Sequence, residues 1–404
     1  MNLRAKRLFC CASRDSIRKA RGGHCTPHSN RHTTRRGAAR ETRGSNKMSP
    51  FFAAIFLLGL CLANAVNFTT VYEWDKFDFV WPSGAETDTS IEQIKQNFNP
   101  ANVHLQYMAV FGERLFLSLI PQPGIPATLV WLPTSGTSTA PPKLAPFPSW
   151  ELHKKDSCET IQAAKGMEVD TDGRLWVLDQ GSKSCQAKLW IFDLAKNDKT
   201  ERVHQFPDSV VSHAIGSRWL LDMVLDKTAD DYLAYIVDSI SEHLIVYSRK
   251  MDKSWSVKMP RGNWFSLALS PSKGQLYLAR DGSEELYSVS VSELKNEAVG
   301  STAVKLIGKW NEEPYRMLID SSNVLYAAFN NQNYLSKWNT SEPFSEQRFH
   351  EVGRLDAGWP FTFSLDTNGN FWMTERNKSG GGNKYKLLKA AVGVKSYLFS
   401  TSTA

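Results

Sequence analysis

The sequence predicts an all-β fold, a six-bladed β-propeller closed by an N-terminal strand. Three observations predict it. Beyond residue 65 there is almost no helical periodicity, only short runs of Val, Ile, Leu, Tyr, Trp and Phe divided by Gly, Asp, Asn, Ser and Pro turns. A turn followed by an apolar-aromatic strand recurs six times, which puts Phe116, Trp176, Tyr235, Tyr277, Tyr326 and Trp372 at equivalent positions. A second strand follows each of them (128–132, 189–194, 244–247, 286–291, 335–338 and 385–388). Sheets this small cannot bury both faces alone, whereas six stacked around an axis bury them and leave only short edges.

The elements follow in chain order. Residues 1–47 hold 13 Lys/Arg against Asp15 and Glu41, a net +11, while the remainder has 35 Lys/Arg against 39 Asp/Glu, a net −4. The overall +7 belongs to this leader and implies no nucleic-acid face on the folded body. The leader reads as a basic low-complexity stretch, either disordered or an upstream extension of the gene, with a transit-like or anchoring segment as the other reading. Residues 48–65 read as a secretory signal peptide: an apolar run from Phe51 to Ala63, then the small-x-small site Ala63-Asn64-Ala65. That run is too short for a stable membrane span. The mature chain is expected to start near Val66, to be secreted, and to form a single domain over 66–404.

Cysteine usage agrees with export. After the cleavage point only Cys158 and Cys185 remain, and in an oxidising compartment they are expected to pair; two free buried thiols are the alternative. Such a bridge contributes roughly 3–4 kcal/mol in the chain-entropy account. Asn67, Asn339 and Asn377 head glycosylation sequons. Residues 71–81, alternating over part of their length, are assigned to the strand that closes the ring, and Pro133–Pro148 to a long surface connection.

Motifs for catalysis are absent from the sequence. It has no Gly-x-Ser-x-Gly elbow and no His-Glu-x-x-His, and His104, His153, His204, His213, His243 and His350 lack metal-ligand spacing. Asp170-Thr171-Asp172-Gly173 opens like a calcium loop but lacks the later ligands, so it reads as a hairpin turn. Neither metal nor cofactor is expected. A propeller offers one recurrent site, the mouth of its central channel. Asp179, Asp238, Arg280, Asn330, Glu375 and Arg376 follow the aligned strands, and Trp264, Phe265, Trp359 and Phe361 supply aromatic neighbours. Carboxylates beside aromatic rings suit an organic amine through ion pairing and cation–π contact; Arg280 and Arg376 oppose it.

Several tracts, in order, resemble the Yellow / major royal jelly protein family of insects. They are Gly124–Leu129, Leu144–Trp150, Val169–Gly181 with its Arg174-Leu175-Trp176-Val177 centre, Ala234–Asp238, Leu244–Tyr247, Ser254–Val257 and Ser336–Thr340. The resemblance runs through nearly all of 70–390. It implies a secreted six-bladed propeller linked to cuticle pigmentation, eggshell or nutrition, with amine binding in salivary members and dopachrome conversion in some. The chain departs from the family pattern at Asp172 and Lys337, where relatives carry cysteines, and at Phe361 and Arg376, where the salivary amine site uses small and amide side chains. The reading is therefore a non-catalytic Yellow-like protein of cuticle, eggshell or pigmentation that binds a small aromatic ligand in its channel. A dopachrome-converting isomerase and a purely structural extracellular protein are the alternatives.

Overall fold

The computed structural model describes residues 66–82, 89–135, 140–155, 157–297, 302–330, 332–351, 359–377 and 384–400. The leader and the signal segment lie outside the described residues. Six antiparallel four-stranded sheets stand in a ring, a six-bladed β-propeller. Blade 1 is β2 (Leu105–Phe111), β3 (Arg114–Leu119), β4 (Leu129–Pro133) and β5 (Ala145–Pro146). Blade 2 is β6 (Ala164–Val169), β7 (Arg174–Asp179), β8 (Lys188–Asp193) and β9 (Lys199–Gln205). Blade 3 is β10 (Leu220–Lys227), β11 (Tyr232–Asp238), β12 (His243–Ser248) and β13 (Lys253–Lys258). Blade 4 is β14 (Trp264–Leu269), β15 (Gln275–Arg280), β16 (Glu285–Ser290) and β17 (Lys305–Lys309). Blade 5 is β18 (Pro314–Ile319), β19 (Val324–Phe329), β20 (Tyr334–Asn339) and β21 (Gln347–Glu351). Blade 6 is β22 (Trp359–Leu365), β23 (Asn370–Asn377) and β24 (Lys384–Ala391), completed by β1 (Thr69–Trp74) from the start of the chain. The innermost strands are β2, β6, β10, β14, β18 and β22, and β2 packs on both β6 and β22.

The repeated aromatics all lie buried in the second strand of their blades. In blades 2, 5 and 6 an aspartate fixes the repeated aromatic. Asp170 Oδ1 accepts the amides of Asp172 and Arg174, closing the hairpin turn, and its Oδ2 accepts Trp176 Nε1 at 2.8 Å. Asp320 does the same for Ser322, Val324 and the Tyr326 hydroxyl, and Asp366 for Asn368, Asn370 and Trp372 Nε1. Each buried carboxylate thereby satisfies turn amides and fixes the aromatic six residues on. The Asp-Gly and Asn-Gly expectation holds at Gly173 and Gly369, with φ of 80° and 79°. In blade 4 the positive φ falls on Lys273, at 56°, rather than on Gly274.

Ring closure differs from expectation in register. β1 ends at Trp74, paired with Tyr385 of β24. The chain then crosses to blade 1, where Phe79 bridges Leu144 and Trp81 stacks on Trp150 at 5.3 Å. The segment predicted as one strand over 71–81 therefore ties blade 6 to blade 1. The Pro133–Pro148 connection is likewise more than surface loop. Leu144 and Phe147 are fully buried, 145–146 form β5, and Phe147 packs between Phe116 and Phe192 at 4.9 and 5.3 Å. Two helices among the described residues, α1 (Thr89–Asn97) and the one-turn α2 (Val291–Leu294), were not foreseen. Cys158 and Cys185 form the expected disulfide.

Candidate functional site

Every innermost strand begins with the same irregularity. Between Leu105 and Tyr107, Ala164 and Met167, Leu220 and Met223, Trp264 and Ser266, Pro314 and Arg316, and Pro360 and Thr362, the inner strand carries one more residue than its partner. These β-bulges re-aim side chains at the channel. Gln106, Phe265 and Tyr315 are half-exposed although the residues on either side of each are buried, and Phe361 occupies the same backbone position in β22. In blade 2 the bulge holds Lys165 and Gly166. Gly166 is required there, because a Cβ would stand 2.9 Å from Leu221 O and Met223 N of β10.

Contacts between blades join these positions into a rim. Phe265 meets Tyr315 at 6.3 Å and Trp219 at 6.5 Å, and Trp219 keeps 39% of its surface exposed just before β10. On the other side Lys165 Nζ donates to Gln106 Oε1 at 3.2 Å. An aromatic arc over blades 3 to 5 thus faces a polar wall over blades 1 and 2.

The residues singled out from sequence lie at this end of the channel, with their charges largely engaged. Asp179 is fully buried and accepts the amides of Gln162, Ala163 and Gly181. Asp238 accepts those of Trp219 and Ile240, and burial raises its pKa. Arg280 is held by Glu285 and the Tyr287 hydroxyl, each at 2.6 Å, and Trp264 beneath it is buried with Nε1 on Pro260 O. Glu375 stands 3.9 Å from His350 Nε2, and Arg376 lies 6.0 Å from the Tyr385 ring. Asn330 is exposed, its amide on Glu313 O. Among those whose side chains are described, Phe265 joins the arc by side-chain contact; Trp219, Tyr315, Gln106 and Lys165 were missed.

Deeper in the channel lies a second network that the sequence did not suggest. Arg316 donates to Asp222 Oδ1 at 2.6 Å, and Asp222 Oδ2 accepts Ser266 Oγ and the Leu267 amide, both at 3.0 Å, so one buried ion pair joins blades 3, 4 and 5. The Tyr107 ring of blade 1 lies 4.1 Å from the Arg316 guanidinium. Glu168 accepts the Leu225 amide at 2.9 Å and the Tyr397 hydroxyl at 2.7 Å, and burial pushes its carboxyl up to about 8. Tyr397 belongs to the C-terminal segment, which closes this end of the channel. A cavity of about 70 Å³ remains, lined in part by Glu168, Asp222, Arg316, Phe363 and Tyr397. That admits a few waters and is far below the roughly 300 Å³ of a small-ligand pocket. The bulged end lies opposite, where Gln106, Phe265 and Tyr315 are partly exposed.

The family profile described as Major royal jelly protein matches residues 162–263 and 258–379, more than half of the chain. The chain belongs to the major royal jelly protein family. Among its relatives is the Protein yellow of Drosophila subobscura, 28% identical over 349 residues, 75% of this chain and 60% of that protein. Protein yellow of Drosophila melanogaster is also 28% identical, over 75% of this chain and 63% of its own length. The chain therefore spans about three-fifths of the length of these curated relatives. Among solved structures, a gluconolactonase from Xanthomonas campestris aligns over 81% of this chain and 92% of its own, with a TM-score of 0.49 and 13% identity. The departures from the royal jelly family pattern have local roles. Asp172 takes Arg174 at 2.7 Å and Lys227 at 3.5 Å, and Lys337 lies over the Phe349 ring at 5.8 Å.

Proposed function

We propose that this royal jelly family protein is exported and binds a small aromatic ligand at the bulged mouth of its channel, acting in cuticle, eggshell or pigmentation without catalysing a reaction itself. The observation that carries the reading is the arc of Trp219, Phe265 and Tyr315 on three successive blades at the bulged end of the channel, with Trp219 39% exposed. Rings set edge-on and tilted around an opening offer stacking surface to a flat ligand. The disulfide supports passage through an oxidising compartment. Removal of residues 48–65 and glycosylation at Asn67, Asn339 and Asn377 belong to the same reading; Asn67 is exposed.

The test uses full-length chain expressed in insect cells and recovered from the medium. Calorimetry with dopamine, serotonin, tyramine and 4-methylcatechol should give saturable heat with at least one of them, and Phe265→Ala should weaken it about tenfold or more, the loss of one aromatic contact with its burial. No heat with any ligand would leave a purely structural role. Decolorisation of dopachrome faster than with heat-killed protein would favour the isomerase instead.

A further inference from the structure

The buried cations of the ring differ in how they are compensated. Arg174 pairs with Asp170 at 2.6 Å, and Arg316 with Asp222. Arg218 donates to five backbone carbonyls, and Lys188 to two. Lys165 is unlike these. It is 5% exposed, and among the described residues its ammonium has a single hydrogen-bond partner, the Gln106 amide oxygen, and no carboxylate within ion-pair distance. A buried ammonium with one neutral acceptor is destabilising, because desolvation goes uncompensated. Burial accordingly lowers its pKa to about 8. The cost falls at a bulge facing the channel mouth, beside the half-exposed Gln106 and across the ring from the aromatic arc: Phe265 is two blades away and Tyr315 three.

We infer that Lys165 is the anion anchor of the mouth, and that the ligand is an aromatic carboxylate whose ring lies on Phe265 and Tyr315 while its carboxylate meets the Lys165 ammonium. This rests on the aromatic-ligand reading above and narrows it. Three other mouth charges are already engaged. Arg280 is neutralised by Glu285, and Asp179 and Asp238 are turned into their own loops. A ligand amine would bring a second cation to an ammonium that already lacks a counter-ion, whereas a carboxylate supplies it as a charge-assisted bond.

Three catechols of similar size separate the cases: 3,4-dihydroxyphenylacetate, neutral 4-methylcatechol, and dopamine. With the full chain at pH 7, the acid should bind about tenfold or more tighter than the neutral catechol, and dopamine no tighter than the neutral one. Lys165→Met should erase the advantage of the acid and leave 4-methylcatechol affinity within twofold, while Lys165→Arg should keep most of it. If dopamine or 4-methylcatechol binds as tightly as the acid, or the Lys165→Met protein keeps the preference, the anchor is wrong while the aromatic site stands. If none of the three binds, the aromatic-ligand reading itself falls. Thermal melts of both variants control for folding, and the Lys165→Arg result decides should the Met variant misfold.

Discussion

Arg218 shows how single residues hold the open end of the channel. Its side chain is 1% exposed, yet it has no carboxylate partner within bonding distance among the described residues. Its guanidinium instead gathers the carbonyls of Gln180, Ser182, Cys185, Ser212 and His213 at 2.7–3.1 Å. The planar five-donor fork suits this task as no lysine could. Arg218→Met keeps much of the volume but takes a donor from five carbonyls, of which, among the described residues, Cys185 O alone keeps another, the Ser182 amide, so it should cost about 3 kcal/mol or more. Urea titration should show the midpoint fall with an unchanged slope. None of this was legible in the sequence, because an arginine that binds main chain has no side-chain partner at a fixed spacing. The aspartates of the hairpin turns are the contrary case. Asp170, Asp320 and Asp366 precede their aromatics by six residues, and that interval can be read by eye.

At the scale of elements, strands and repeat were legible because burial and turn chemistry leave periodic marks, and the second strands start within one residue of prediction, though β24 runs three residues further than expected. The bulges were not. One extra residue per innermost strand breaks the alternation of faces and looks like noise in an apolar run. For that reason Trp219, Tyr315, Gln106 and Lys165 were missed, and of the arc only Phe265 was chosen, beside residues at strand ends. Closure was legible in kind but not in extent, since Trp74 and Phe79 serve different blades. Trp74 is 3% exposed, packs 5.3 Å from Phe77, and donates Nε1 to Pro142 O at 2.9 Å, so it pins β1 against blade 6 and reaches toward blade 1. Trp74→Ala should cost about 3–5 kcal/mol, the usual range for an emptied indole site. Because β1 is the strand that covers β24, its loosening would expose an edge. Limited trypsin digestion should then cut at Lys76 well before the wild type is cut, and concentrated samples should associate. Cleavage at the wild-type rate would show that β1 does not depend on this anchor.

The whole molecule couples these sites through pH. Two groups three residues apart on β6, Lys165 and Glu168, have folded pKa values near 8, reached from opposite directions. Glu168 is raised to about 8, from an ordinary value near 4.5, by burial. The folded protein therefore holds more protons than the unfolded chain between those values, and stability falls as pH rises through that window. Lys165 is lowered to about 8 from near 10.5, again by burial. Here the unfolded chain holds more protons between about 8 and 10.5, so stability rises with pH. His153, buried with Nε2 on Phe147 O and lowered to about 4, opposes Glu168 below pH 6.5 and is silent above it. The contributions of these groups sum to a minimum of stability near pH 8, with the falling arm belonging to Glu168 and the rising arm to Lys165; the rise ends as pH nears 10, where unfolded tyrosines ionise and buried ones such as Tyr235 and Tyr326, raised by burial, do not. Urea midpoints at pH 6.5, 8 and 9 should trace it. Glu168→Gln should flatten the arm below pH 8, because the amide keeps a donor for the channel and no longer titrates, and Lys165→Met should flatten the arm above. A saturating aromatic carboxylate should lift the midpoint most on the acid side of the minimum, where the ammonium persists. A wild-type profile that is flat or peaks at pH 8 would mean that neither group is desolvated as strongly as the packing around it demands.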